Sequence, residues 1–173
     1  MGTGGRAAID SAMASAIMKK LLENGIGFDS ALKITNYALI SKSADESLAT
    51  LDCAMINPYT RDVFIYKAGA PMSIIKKDGK AKEIFSSALP AGIVTDIEFA
   101  KIYENLDIGD MLVMITDGAV YSQSKWLLSL VENTSETDVQ KIAEEILEFA
   151  INMRPKEKSD DISVLVMLAD SPN

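Results

Sequence analysis

Residues 109–120 read GDMLVMITDGAV, and residues 158–168 read KSDDISVLVML. In the first stretch an apolar run, Met111 to Ile115, passes straight into Thr116-Asp117-Gly118. Such a run between turn residues reads as a buried strand, and Gly118 lets the chain turn sharply where the strand ends. In the second stretch a carboxylate pair, Asp160-Asp161, stands just before another apolar strand, Ile162 to Leu168. Singly, an Asp-Gly is a turn and an Asp-Asp a solvated loop. If the two strands are neighbours, one ending where the other begins, both acids lie at one edge of a sheet. That edge suits a hard divalent cation.

Working outward, period-two patterning runs from Leu48 to Ile56 and returns from Val63 to Lys67 after the turn NPYTRD. AGAP at 68–71 breaks the return strand. Met72–Lys76 and Ala81–Phe85 flank Asp78-Gly79, a strong hairpin signal. The loop LPAGI (89–93), a strand from Ile97 to Leu106 and a turn at Asp107–Asp110 complete the strand-rich middle. Helices flank it. The glycine-rich start MGTGG enters a helix that carries Ala8, Ala12, Ile17 and Leu21 and stops at Gly25. A second helix spans Ser30–Ile40 with Asp29 as N-cap. A short helix surrounds Trp126 and Leu130. A long one runs from Ser135 to Met153, with Ser135 and Asp138 as an approximate capping box and Ile142, Ile146 and Phe149 on one face. Helices, then antiparallel strands, then helix and strand make an α+β pattern. No repeat, low-complexity block or linker interrupts it, so residues 1–173 are read as a single domain.

Composition narrows the chemistry. The net charge is −8 with no basic run, which argues against nucleic acid and against an anionic membrane surface as partners. An acidic chain that handles phosphate needs a cation to bring it in. There is no histidine, which excludes Ser-His-Asp and Cys-His catalysis and histidine-held zinc. Any metal is held by oxygen, which favours magnesium, manganese or calcium. The single cysteine, Cys53, forms no internal disulfide and reads as a small buried hydrophobe of a reducing, cytoplasmic protein. No apolar run is long enough to span a membrane, and the start is not a signal peptide. Thr116 and Ser159 adjoin the acids but have no base, so they are read as hydrogen-bonding groups. Trp126 is read as an anchor of the core or of a flap, and Lys19, Lys20 and Lys158 as surface charges.

Taken in order, MGTGG entering a helix, SLATLD, AGAP, LPAGI, GDMLVMITDG and SDDISVLV resemble the motif series of the PPM (PP2C-type) metal-dependent serine/threonine phosphatases, in the branch typified by stage II sporulation protein E. The match runs over nearly the whole chain. The resemblance implies two antiparallel sheets packed face to face with helices outside, and two manganese or magnesium ions at one edge of that sandwich. It implies that these ions activate a water that attacks a phosphoserine or phosphothreonine, with no nucleophilic side chain. The implied substrate is a phosphorylated regulatory protein of the anti-sigma-factor antagonist type.

Residue by residue, the resemblance makes Asp117 and Asp160 metal ligands, and gives Gly118 and Asp161 supporting roles around them. Gly2, Thr3 and Gly4 match the tail of a DGMGTG loop that leads into paired regulatory helices, here 7–24 and 29–42. The family's loop opens with Asp-Gly, and its aspartate bridges both metals; here Met1 stands at the loop's methionine. The expectation is therefore an N-terminally truncated sandwich that binds metal weakly and turns over slowly. Its exposed strand edges lead to an expected homodimer, and a membrane anchor upstream is expected in a full-length protein. The alternative reading is a non-catalytic regulatory module that binds a protein partner. A calcium-held structural domain is a third, for which the acidic ligands are too few.

Overall fold

The computed structural model describes residues 5–42, 49–119, 124–155 and 160–171. Helices α1 (Gly5–Glu23) and α2 (Phe28–Lys42) come first, then strands β1 (Leu51–Ile56), β2 (Asp62–Ala68), β3 (Ser73–Lys77), β4 (Lys80–Ile84), β5 (Ala100–Asn105) and β6 (Met111–Ile115). A 3-10 turn at Asp117–Ala119, α3 (Lys125–Asn133), α4 (Val139–Met153) and β7 (Val164–Leu168) complete the order. The strands form two antiparallel sheets, ordered β1-β2-β5 and β4-β3-β6-β7, so the class is α+β as the sequence implies.

The chain forms two compact units. The first comprises Met1–Cys53, Tyr66–Gly69 and Ser87–Ala100. Its core is Ala14, Leu39, Ala49, Ala68, Ala91 and Ile97. Alanine dominates that list, which is why its elements approach closely. Asn36, buried on α2, donates to the Val94 and Thr95 carbonyls at 2.9 and 3.3 Å and accepts from the Gly92 N–H at 2.8 Å. One buried amide thus satisfies three backbone groups of the LPAGI loop and its continuation. Gly69 sits at φ +60°, and a Cβ there would lie 2.5 Å from Pro90 Cγ. Nothing but glycine fits at that position of AGAP.

The second unit comprises Ala54–Ile65, Ala70–Ser86 and Lys101–Asn173. One face of its four-stranded sheet, with Ile74, Met111, Val113 and Ile115, packs against Leu127 and Val131 of α3 and Ile142, Ile146 and Ala150 of α4. The opposite face, with Ile75, Leu112 and Met114, packs against Val63 and Ile65 of β2. β6 is covered on both faces, which explains its unbroken apolar sequence. Asp78 and Gly79 both have positive φ, 51° and 74°, as the tight hairpin between β3 and β4 requires.

Several local expectations shift. α2 begins at Phe28, so Asp29 lies in its first turn and is not its cap. α4 begins at Val139 and not near Ser135. Asp138 itself is the cap, its carboxylate accepting from the Gln140 and Lys141 N–H groups. Phe149 is 41% exposed, and Ala150 takes the buried position on α4. The Phe149 ring instead stacks on Trp126 with 4.7 Å between centroids, so Trp126 does anchor α3 to α4. Cys53 is half-buried rather than buried, and its thiol is pushed up to about 11, by burial first and by neighbouring Asp52 second.

Candidate metal centre

The site is set by how β6 ends and β7 begins. The strands pair antiparallel from Met111↔Leu168 to Ile115↔Val164, so the last residue of one stands opposite the first of the other. Beyond the strands the pairing continues through Thr116. Its N–H donates to the Ser163 carbonyl at 3.1 Å. Its hydroxyl accepts from the Ser163 N–H at 2.8 Å and donates to the Asp161 carbonyl at 3.3 Å. Asp117 and the Asp160-Asp161 pair therefore leave the same edge of one sheet, side by side, although 43 positions separate 117 from 160 (160 − 117).

Gly118 closes the join. A Cβ at that position would lie 2.4 Å from the Asp161 carbonyl oxygen and 3.1 Å from its carbon. Backbone packs on backbone here, and no side chain fits between. Asp160 Oδ1 accepts from the Asp161 N–H at 3.0 Å, and Arg154 donates to the Asp160 carbonyl at 3.4 Å. Asp117, Asp160 and Asp161 are all exposed, and none forms an ion pair among the described residues. Three acids sit at one sheet edge, and among the described residues the basic group beside them is Arg154, which bonds a backbone carbonyl and no carboxylate.

Of the residues singled out from the sequence, Asp117, Gly118, Asp160 and Asp161 come together. Gly2, Thr3 and Gly4 lie outside the described residues, as do Ser159 and Lys158. Thr116 proves to be the clasp between the two loops. Sequence reasoning passed over Lys67, which is fully buried and binds Asp52 at 2.6 Å. Burial holds the Lys67 ammonium below the usual lysine range, against the pull of Asp52. The lysine inside an otherwise apolar strand, FIYKA, was the available signal. Lys19 and Lys20 are exposed, as expected.

Two antiparallel sheets with helices are the fold of a PP2C-type phosphatase domain. The stage II sporulation protein E family profile matches residues 1–169, so the chain belongs to that family, whose members are phosphoprotein phosphatases. It is 30% identical over 176 residues to stage II sporulation protein E of Bacillus subtilis, covering 98% of this chain but only 21% of that relative. The solved PP2C phosphatase domain of that protein with a fragment of its regulatory domain is 29% identical. It matches 100% of this chain and 53% of its own length, with a TM-score of 0.86. The same protein's phosphatase domain, presoaked with manganese, matches at 26% identity and a TM-score of 0.64, covering all of this chain and 75% of that one. The chain thus spans about a fifth of the curated relative and about half of the first of these structures. No helix among the described residues is long and apolar enough to cross a membrane.

The donor chemistry fits a hard divalent cation: oxygen ligands, net negative charge, exposure and, among the described residues, no competing ammonium. Asp117 and Asp160 would hold it, with the Asp161 backbone and Gly118 fixing their separation. Among the described residues, however, no group of three or more His, Cys, Asp or Glu converges as a full ligand set.

Proposed function

We infer that the chain is a metal-dependent serine/threonine phosphatase module that removes phosphate from a regulatory protein of the anti-sigma-factor antagonist type. The observation that carries this reading is the Thr116 clasp, which holds two acidic loops at one sheet edge. A pair of bound manganese or magnesium ions would neutralise the phosphate and supply a nucleophile from water at neutral pH. The protein's own part is to fix the two carboxylates at one edge, exposed to solvent. The absence of histidine suits a reaction that needs no protein nucleophile.

The partial ligand set implies that these residues bind metal weakly and turn over slowly by themselves. The reading also places the module on the cytoplasmic side, where phosphorylated regulators are found, and treats residues 1–173 as one phosphatase domain. The test is a manganese titration followed by calorimetry and by the electron paramagnetic resonance of free Mn²⁺, with the wild type beside Asp117→Asn and Asp160→Asn. Weak saturable binding by the wild type, lost in both variants, is expected. Slow manganese-dependent hydrolysis of a phosphoserine protein should disappear with it. Equal binding by all three proteins would overturn the assignment. A non-catalytic module is favoured by one observation, the incomplete ligand set among the described residues, and predicts no hydrolysis at any manganese concentration.

A further inference from the structure

The cation beside the acidic edge is held in a way that charge alone does not explain. α4 ends at Met153, and Arg154 is its C-cap, with extended backbone (φ −73°, ψ 142°) and its N–H donating to the Ala150 carbonyl at 3.1 Å. The residue before a proline favours that conformation, and Pro155 follows. The half-buried Arg154 side chain reaches Asp160, where a terminal N–H donates to the backbone carbonyl at 3.4 Å.

A guanidinium among carboxylates ordinarily pairs with one of them through two parallel hydrogen bonds. Arg154 forms no ion pair with Asp117, Asp160 or Asp161. Of its several N–H donors, one has an acceptor among the described residues. Its charge therefore stands at the edge without quenching the acids that a metal would need. The rest of its planar fork is left for an acceptor from outside the described residues.

The chemistry of that acceptor follows from the charge balance. A phosphate monoester carries a charge of about −2 near neutral pH. It approaches a chain of net charge −8 at an edge bearing three carboxylates, Asp117, Asp160 and Asp161. Divalent cations offset that repulsion but hold phosphate as point charges. A guanidinium adds directed hydrogen bonds whose spacing matches two phosphoryl oxygens.

We propose that Arg154 is a phosphate-recognition residue: steadied by the Asp160 carbonyl, its guanidinium donates to a phosphoryl oxygen of the phosphoprotein at the Asp117–Asp160 edge. This rests on the metal-dependent phosphatase reading and adds the protein group that reads the phosphate itself. Three carboxylates outweigh one guanidinium, so Arg154 takes phosphate only once metal has offset them. Metal and phosphate then bind cooperatively, each tightening the other.

The chain has three arginines, Arg6, Arg61 and Arg154, so the side-chain Nε–H region of a nitrogen-15 spectrum is simple. Inorganic phosphate is titrated into the 173-residue chain with excess magnesium, a diamagnetic substitute for manganese, and without it. The Arg154 signal, assigned through its backbone resonances, is expected to shift with phosphate when magnesium is present and to stay in place when it is absent. Arg154→Lys keeps the charge but loses the planar fork. It should bind manganese as the wild type does, bind phosphate about tenfold more weakly, and raise KM for a phosphoserine protein by a similar factor, with kcat changed less. Arg154→Gln removes the charge as well and should weaken phosphate further. Circular dichroism identifies whichever variant keeps the fold.

An Arg154 signal that ignores phosphate while magnesium is bound overturns the proposal, and so does a folded variant with unchanged phosphate affinity. A folded variant that loses manganese together with phosphate overturns it too, because Arg154 would then only brace the Asp160 loop. Failure of the wild type to bind either metal is a separate result, which removes the metal reading and this proposal with it.

Discussion

Two sets of aspartates at strand ends meet opposite fates in this molecule. Asp52, on β1, receives the Lys67 ammonium at 2.6 Å, and the lysine side chain is wholly buried. Asp117, Asp160 and Asp161 are exposed, and their carboxylates have no basic partner among the described residues. The first acid is already neutralised, so its charge serves the fold. The others have no such partner among the described residues, and an added cation would offset their mutual repulsion. An acid's place in the sequence pattern does not separate these cases; what reaches it in space does.

The contrast breaks most visibly at the buried pair. Lys67→Ala leaves a largely buried carboxylate without its ammonium and should cost about 3–5 kcal/mol, read as a fall in the urea midpoint. The double variant Lys67→Met, Asp52→Asn should recover much of that loss, because two desolvated charges go together. If Lys67→Ala costs as little as a surface substitution, the pair is not structural and the comparison fails.

At the exposed acids the fold depends on backbone contact and not on charge. Gly118→Ala forces a methyl against the Asp161 carbonyl and should cost about 2 kcal/mol of stability. It should also spread the two loops and weaken manganese binding by calorimetry. A variant of unchanged stability would mean that the join relaxes freely and that Gly118 does not set the spacing of the acids.

Much of this was legible in the sequence, for identifiable reasons. β6 and the Asp78-Gly79 hairpin were readable because local chemistry alone decides them: a doubly covered strand is apolar throughout, and a tight turn needs two positive φ angles. The edge where Asp117 meets Asp160 was readable as a conditional, since it required only that two apolar strands be neighbours. The start of α4 was not. Ser135 and Asp138 both cap helices, and the choice depended on which side chain turned onto free N–H groups. Nor was the Lys67–Asp52 pair, because a lysine in a strand reads as solvent-facing until its neighbours are known. The same choice of cap gives a modest test. Asp138→Ala should cost about 1 kcal/mol, while Ser135→Ala should leave the melting temperature where it is.

The smallest expected effect sharpens the comparison most. Without metal, Asp117→Asn should change stability by no more than about 0.5 kcal/mol, because an exposed carboxylate with no partner contributes little to the fold. Losing one of several like charges at a crowded edge should, if anything, raise the melting temperature slightly. Adding manganese should then separate the proteins. The wild type gains stability in proportion to the occupancy of its site, while Asp117→Asn gains less. A carboxylate that is dispensable to the folded chain but needed for the metal-induced rise is one held for a ligand. If Asp117→Asn destabilises the metal-free protein as much as Lys67→Ala does, Asp117 belongs with Asp52 as a structural acid, and the metal assignment loses its basis.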